Sequence, residues 1–341
     1  MRSPSIGAVE DSFSAHFHLS RLGRKPDGAL PVEGLRMSQA FEHRPVMVEQ
    51  VVELFAPVPP GTVIDATVGG GGHARAVLEA YPKVRVLALD RDPAAVAAAS
   101  AALAPFGGRA VVVKGRFDRL AEVAALHGVR RVSGVLFDLG VSSAHVDVPE
   151  RGFSYRHTGP LDMRMDPDDP TTAADLANTM SERDLASLFA RNGEGRFARR
   201  LARAVVAARP LSTTTELADV VRDAIPAPAR RRGGHPARRV FQALRIEVNE
   251  ELSLLSPALD EALALLSPMG RCVVLSYHSG EDRIVKRRFA AEAEPVCTCP
   301  PGMPCTCGAP VHARLVQRRA LRPSTAEVAA NPRAESARLR A

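Results

Sequence analysis

Short apolar runs and stretches of helical periodicity alternate along the chain between residues 59 and 138. After the turn Pro59-Pro60-Gly61, the run Val63-Ile64-Asp65 reads as the end of a short buried strand, and a glycine run from Gly69 to Gly72 leads into a helical pattern over His73–Ala80. Val84–Leu89 is a second strand, closed by Asp90. Asp92-Pro93 then opens a helix, a capping acid followed by proline at the first helical position, which the alanine-rich stretch to Leu103 continues. Ala110–Val113 and Val132–Phe137 make third and fourth strands, the latter again ending in an acid, Asp138. Strands alternating with helices imply a parallel sheet with helices on both faces.

The pattern changes at about Pro149. From there to Ser256 no strand run appears, and helical spacing covers Leu176–Ala190, Phe197–Ala208, Leu217–Ile225 and Phe241–Leu255. Alternation resumes with a strand over Arg271–Tyr277 and a helix over Glu281–Phe289. The expected architecture is a doubly wound, Rossmann-like α/β core over residues 41–148 and 256–330, interrupted by an all-helical insert over 149–255. Residues 1–40 lack periodicity and read as a disordered tail, with Met37 an alternative start to Met1; residues 331–341 read as a loose tail.

A chain of 341 residues is long for one simple domain, which suits a core carrying a second module. The N-terminus has no signal-type apolar stretch, and no run approaches the roughly 18 apolar residues of a membrane helix, so a cytoplasmic, membrane-free protein is expected. Net charge is +7, which favours a polyanionic partner. The excess is local: residues 191–250 hold thirteen arginines against six acids, with Arg230, Arg231, Arg232, Arg238 and Arg239 the densest group. Arginine forks suit phosphate oxygens, so these five are candidate RNA contacts, the competing reading being a solvated basic loop. Cys297, Cys299, Cys305 and Cys307 can supply four thiolates to a structural zinc. Their Cys-x-Cys spacing departs from the usual Cys-x₂-Cys pairs, so thiols in a surface loop are favoured and no metal is expected.

The segment Asp65 to His73 follows a strand and opens a helix, with its glycines allowing a sharp turn and close approach of a ligand to the backbone. Asp90, ending the next strand, suits both ribose hydroxyls of a nucleoside, and Asp138 lies on the same carboxyl edge. These residues should converge on one nucleoside crevice. Gly69-x-Gly71-x-x-Ala74 also satisfies a dinucleotide fingerprint, so an NAD-linked oxidoreductase competes on this evidence. His73 by itself would more often be a capping or packing histidine.

A second set of motifs separates these options: Asp138-Leu-Gly-Val-Ser-Ser143, Glu150-Arg-Gly-Phe-Ser154, Gly159-Pro-Leu-Asp-Met-Arg-Met-Asp166, Gly195-Arg-Phe-Ala-Arg199, His235-Pro-Ala-Arg238, Phe241 to Glu250, and Tyr277-His-Ser-Gly-Glu-Asp-Arg-Ile-Val-Lys286. Together and in order, these closely resemble the bacterial 16S ribosomal RNA (cytosine-N4) methyltransferase family, RsmH or MraW, from about His43 to Phe289. The resemblance implies a class I methyltransferase core with a substrate-recognising helical insert, S-adenosylmethionine as cofactor, and 16S rRNA in the small ribosomal subunit as partner. It places cofactor contacts at Gly71, Gly72, His73, Asp90, Phe117, Asp138 and His145. The family usually has Gln where His145 stands, commonly Phe at Tyr277, and commonly Leu at Gly280.

Cytosine N4 is a weak nucleophile because its lone pair is delocalised into the ring, so catalysis needs positioning and acceptors for its hydrogens. Candidate catalytic residues are Asp138, Ser142 and Ser143 at the fourth strand and Tyr277 and His278 at the resumed strand. Asp138 serves either the amino group or the cofactor alone; His278 serves either the base or a neighbouring loop. Phe117 either covers an adenine face or packs in the core. Two further readings stay open: a methyltransferase of the same fold acting on another nucleic acid, and a non-catalytic RNA-binding assembly protein. The sequence leaves the oligomeric state open, a homodimer included.

Overall fold

The computed structural model describes residues 45–230, 235–294, 299 and 311–341, with the side chains of Ser143 and Ala144 outside the description. The expectations for residues 1–40, Arg231, Arg232, Cys297, Cys305 and Cys307 therefore lie outside the described residues.

In chain order the core begins with α1 (Val48–Phe55), β1 (Thr62–Asp65), α2 (Gly72–Ala80), β2 (Arg85–Asp90), α3 (Pro93–Leu103), β3 (Ala110–Lys114), α4 (Leu120–Leu126), β4 (Val132–Asp138) and the short α5 (Ser143–Asp147). The helical region follows: α6 (Ala173–Thr179), α7 (Glu182–Arg191), α8 (Ala198–Ala207), α9 (Thr214–Ala224), α10 (Ala227–Arg230) and α11 (Ala237–Val248). The chain then returns through α12 (Glu251–Leu265), β5 (Leu266–Ser276), α13 (Ser279–Ala293), α14 (Thr325–Ala330) and β6 (Arg338–Arg340).

The strands form one sheet in the order β3-β2-β1-β4-β5-β6. All neighbours are parallel except β5 and β6. Val63, Ile64, Leu87, Leu89, Val135 and Phe137 are buried, as expected of strands covered on both faces. The chain winds outward from β1 to β3 and then crosses to β4, so the β1/β4 boundary is the switch point where such sheets open a crevice at their carboxyl ends. Asp65, Asp90 and Asp138 are the last residues of β1, β2 and β4.

Buried side chains of the helical region, among them Leu161, Phe189, Leu201, Leu217 and Leu244, pack into a cluster of their own, separate from the two that line the sheet faces. The sequence reading needs three corrections. The expected helix Leu176–Ala190 is two helices, because Ser181 caps α7 by accepting the Asp184 N–H. The expected helix Phe241–Leu255 also breaks, with Glu250 left-handed at φ 52° between α11 and α12. This moves the boundary at 255/256 back to that break, since Leu255, Ala258 and Leu259 of α12 belong to the sheet-face core. Finally, residues 331–341 are not a loose tail: Val274, Leu275 and Ser276 of β5 pair with Arg340, Leu339 and Arg338, and Leu339 is fully buried.

Candidate active site

Two glycines shape the turn after β1. Gly69 and Gly71 sit at φ 51° and 83°, in the left-handed region where a side chain is strained. A Cβ on Gly72 would lie 2.1 Å from Pro45 Cγ, so α2 starts hard against the segment before α1. On Gly69 or Gly70 a Cβ would meet nothing within 4 Å: the turn faces open space. The Asp90 carboxylate braces this turn, accepting the Gly69 N–H at 2.9 Å and the Asp92 N–H at 3.0 Å. Gly71, the residue before α2, supplies no side-chain cap, so first-turn N–H groups of α2 stay available to an acceptor.

Asp138 collects the second group. Its N–H donates to Thr67 Oγ1 at 2.6 Å, pinning β4 to the turn after β1. Oδ1 accepts the Tyr277 hydroxyl at 2.7 Å, and Oδ2 lies 3.4 Å from His73 Nδ1. The His73 Nε2–H donates to the Val46 carbonyl at 2.9 Å, which turns Nδ1 towards the carboxylate. Burial alone would depress the His73 imidazole, but Asp138 and then Asp65 outweigh it and its pKa is raised. Burial and the adjacent Asp138 carboxylate push the Tyr277 phenol well above its ordinary value, so it remains a donor. Burial drives the Asp65 carboxyl up to about 7 against the opposing pull of His73.

This last shift makes a testable pH dependence. The folded chain holds a proton on Asp65 that the unfolded chain releases near its ordinary pKa of 3.8. The native state therefore binds more protons across that window, and this contribution to stability falls as pH rises from about 4 to about 7. Asp65→Asn should flatten the decline. Melting both proteins at pH 5 and pH 8 checks it; equal slopes would remove Asp65 as the cause.

His145 and Arg151 meet on a neighbouring acid. Asp92 caps α3, accepting the Ala94 N–H at 2.9 Å, and its Oδ2 also takes His145 Nε2 at 2.7 Å and Arg151 Nη1 at 2.9 Å. Against the cost of burial, these partners hold Asp92 down at about 2. The Ser142 N–H donates to His145 Nδ1 at 3.2 Å, so both imidazole nitrogens are engaged within the protein, and the ring stacks on Phe153 with centroids 4.8 Å apart. Ser142 itself caps α5. Arg151 reaches on to the carbonyls of Arg164 and Met165, each at 3.0 Å, tethering the Glu150–Asp166 loop to the crevice.

The predicted residues thus divide. Gly71, Gly72, His73, Asp90 and Asp138 line or brace the carboxyl edge, and Tyr277 joins Asp138. Phe117 follows β3 and meets Phe137 edge-on at 6.2 Å. His278 points elsewhere: its Nδ1 accepts the Gly280 N–H as the cap of α13, and its Nε2 lies 3.2 Å from Glu281 Oε1. Arg230 lies 3.8 Å from Asp223, and Arg239 3.2 Å from Glu194, so two of the candidate RNA arginines are already paired with acids. Cys272, the cysteine of β5, is buried with its thiol pushed up to about 12, which makes it inert at neutral pH.

Sequence reasoning missed Arg151, Thr67 and Asn249. Asn249, fully buried, accepts the Met165 N–H on Oδ1, donates from Nδ2 to the Met163 and Arg245 carbonyls, and its own carbonyl accepts Arg91, each at 2.8 Å. Arg151 and Asn249 stand inside motifs already singled out, but nothing local to either reveals its long-range partners.

A crevice at the switch point, open over a glycine turn and flanked by strand-end acids, together with a reversed edge strand, fits an α/β methyltransferase core. The profile of the MraW methylase family matches residues 40–341. The chain belongs to that family. It is 53% identical over 315 residues to the ribosomal RNA small subunit methyltransferase H of Acidothermus cellulolyticus, covering 90% of this chain and 95% of that one. The protein of the same name from Symbiobacterium thermophilum is 50% identical over 307 residues, covering 89% and 96%. That from Thermobifida fusca is 50% identical over 313 residues, covering 90% and 94%. Membership in a methylase family retires the NAD-linked alternative. Among the described residues no helix is long and apolar enough to cross a membrane.

Proposed function

We propose that this chain uses S-adenosylmethionine to methylate N4 of a cytidine in the decoding centre of 16S rRNA, acting on the small ribosomal subunit. The observation that carries the reading is the Asp138 carboxylate, held by Tyr277 and faced by His73, beside an open glycine turn. The names of relatives about half identical along nearly their whole length support the substrate.

The residues present fit the cofactor. Asp90 keeps lone pairs for ribose hydroxyls beyond those taken by Gly69 and Asp92. The uncapped start of α2 suits a carboxylate, the open space over Gly69 and Gly70 admits the body of the molecule, and Phe117 stands at the end of β3 to border the adenine. When bound, it supplies an electrophilic methyl group.

Asp138 does the acceptor-side work. Its carboxylate takes a hydrogen bond from the cytosine amino group, which concentrates the N4 lone pair, and receives the surplus proton once the new N–C bond forms. Tyr277 orients that carboxylate. His73 balances charge among Asp65 and Asp138 inside the buried cluster. Ser142 and His145 hold the segment after β4, so His145 is a positioning residue, and His278 supports α13.

The test is transfer of labelled methyl to small subunits from a strain lacking this gene, followed by nucleoside analysis. Label in N4-methylcytidine or its 2′-O-methylated form is the expected result. Label in another nucleoside, or none despite cofactor binding, overturns the reading.

A further inference from the structure

The Glu150–Asp166 loop and the residues around the start of α11 border an open pocket of about 600 Å³ lined by Tyr155, Arg156, His235 and Arg238. That volume is in the range of sites for small molecules. Tyr155 and His235 stack face to face, centroids 4.5 Å apart and planes 12° from parallel. Phe241 meets Tyr155 edge-on at 5.6 Å and fixes its orientation from within the helical core. His235 is exposed, and a base laid on the face of its ring away from Tyr155 would extend the stack. Its Nδ1 accepts the Ala237 N–H at 3.2 Å, so the neutral ring carries its proton on Nε2 and presents a donor.

Arg156 and Arg238 are set apart by the aromatic stack beside them; the exposed Arg196, Arg199 and Arg200 share their lack of a carboxylate partner among the described residues. Arg191, Arg203, Arg230 and Arg239 all pair with acids. Among the described residues the exposed guanidiniums of Arg156 and Arg238 have no carboxylate partner. Two unpaired forks beside an aromatic stack match the two parts of a nucleotide, phosphate and base, whereas a purely basic patch would match phosphate alone.

Position links this pocket to the crevice. Tyr155 is two residues from Phe153, which stacks on His145, which bonds Asp92 beside the nucleoside acid Asp90. Two residues of extended chain span at most about 7 Å.

We infer that Tyr155, Arg156, His235 and Arg238 form a subsite for an unstacked nucleotide of single-stranded RNA flanking the target base. The base extends the Tyr155–His235 stack and the arginines hold its phosphodiester. This rests on the proposed RNA substrate. Sequence-specific RNA recognition generally targets such splayed single-stranded nucleotides.

The experiment compares wild type, the double variant Arg156→Ala/Arg238→Ala, and Tyr155→Leu, which keeps an apolar contact with Phe241. Methyl transfer to small subunits is measured for KM and kcat, and binding of a cytidine-containing RNA hexanucleotide is measured across a salt series. Cofactor affinity and thermal midpoint serve as controls for folding. The expected result is a 10- to 100-fold rise in KM for the double variant with kcat within about threefold, and a hexanucleotide salt slope shallower by about one to two. Tyr155→Leu should weaken hexanucleotide binding roughly 5- to 100-fold without altering the slope. Folded variants with unchanged KM and unchanged hexanucleotide binding overturn the subsite. If wild type is itself inactive on subunits, the proposed substrate fails instead, and the hexanucleotide arm still decides: weaker binding in the variants supports the subsite, equal binding rejects it.

Discussion

Replacing Asp138 by Asn should lower the turnover of methyl transfer by about 10²- to 10³-fold, the range seen when one polar group aimed at developing charge is removed. The amide keeps the size of the side chain, but its nitrogen is a donor where Tyr277 Oη and the acceptor amino group both require an acceptor. The loss of charge also removes the partner that raises the His73 pKa. Cofactor affinity should change far less than turnover, because Asp90 and the start of α2 are untouched by the substitution. Measuring turnover by methyl transfer and affinity by calorimetry separates the two. Full turnover with normal affinity would take Asp138 out of the chemistry, and equal losses in both would make it a cofactor ligand alone. Tyr277→Phe should act in the same direction but more weakly, since the carboxylate survives and only its orientation loosens.

The second large effect is on stability. Asn249→Ala should destabilise the fold by roughly 2–5 kcal/mol, because the Met163 carbonyl and the Met165 N–H are then buried without those partners. Met163 is fully buried in the left-handed region at φ 63°, a conformation a methionine keeps only where its surroundings enforce it. The Asn249 amide, which holds the Met163 carbonyl, shares that work with the Arg151 carbonyl, which accepts the Met163 N–H. The same side chain sits at the break between α11 and α12, where the Asn249 carbonyl also receives Arg91 from the turn after β2. A melt should show the midpoint lowered by several degrees, and limited proteolysis should find the Glu150–Asp166 loop cut first. An unshifted midpoint would mean that water replaces the lost bonds at little cost.

Much of the sheet was legible because buried parallel strands leave short apolar runs, as in Val63-Ile64 and Val135-Leu136-Phe137. Asp92-Pro93 marked the start of α3 by local chemistry alone, and the structure shows that cap. The edge strand β6 was not legible: Arg-Leu-Arg is three residues long, with only Leu339 buried, and its strand character comes from pairing with β5. The two helix breaks were missed because apolar spacing runs on across Ser181 and Asn249, while the interruption comes from a capping hydroxyl in one case and a left-handed residue in the other. At the site, glycines and strand-end acids announced themselves through their place in a strand–turn–helix unit. The occupation of both His145 nitrogens did not, since Asp92 lies 53 residues away in the chain. Nor could charge counting tell Arg239, paired with Glu194, from Arg238, which has no carboxylate partner among the described residues.

A single oxygen, Asp92 Oδ2, receives both His145 and Arg151. The same residue's N–H is bound to Asp90. Asp92 therefore joins Asp90 to the loop that follows β4 through three hydrogen bonds. Linkage of this kind is reciprocal: the factor by which one ligand changes the affinity for the other is the same in both directions. A ligand held at Asp90 and one held by that loop would, if coupled through Asp92, each change the other's affinity by one common factor, and their order of arrival would alter rates alone.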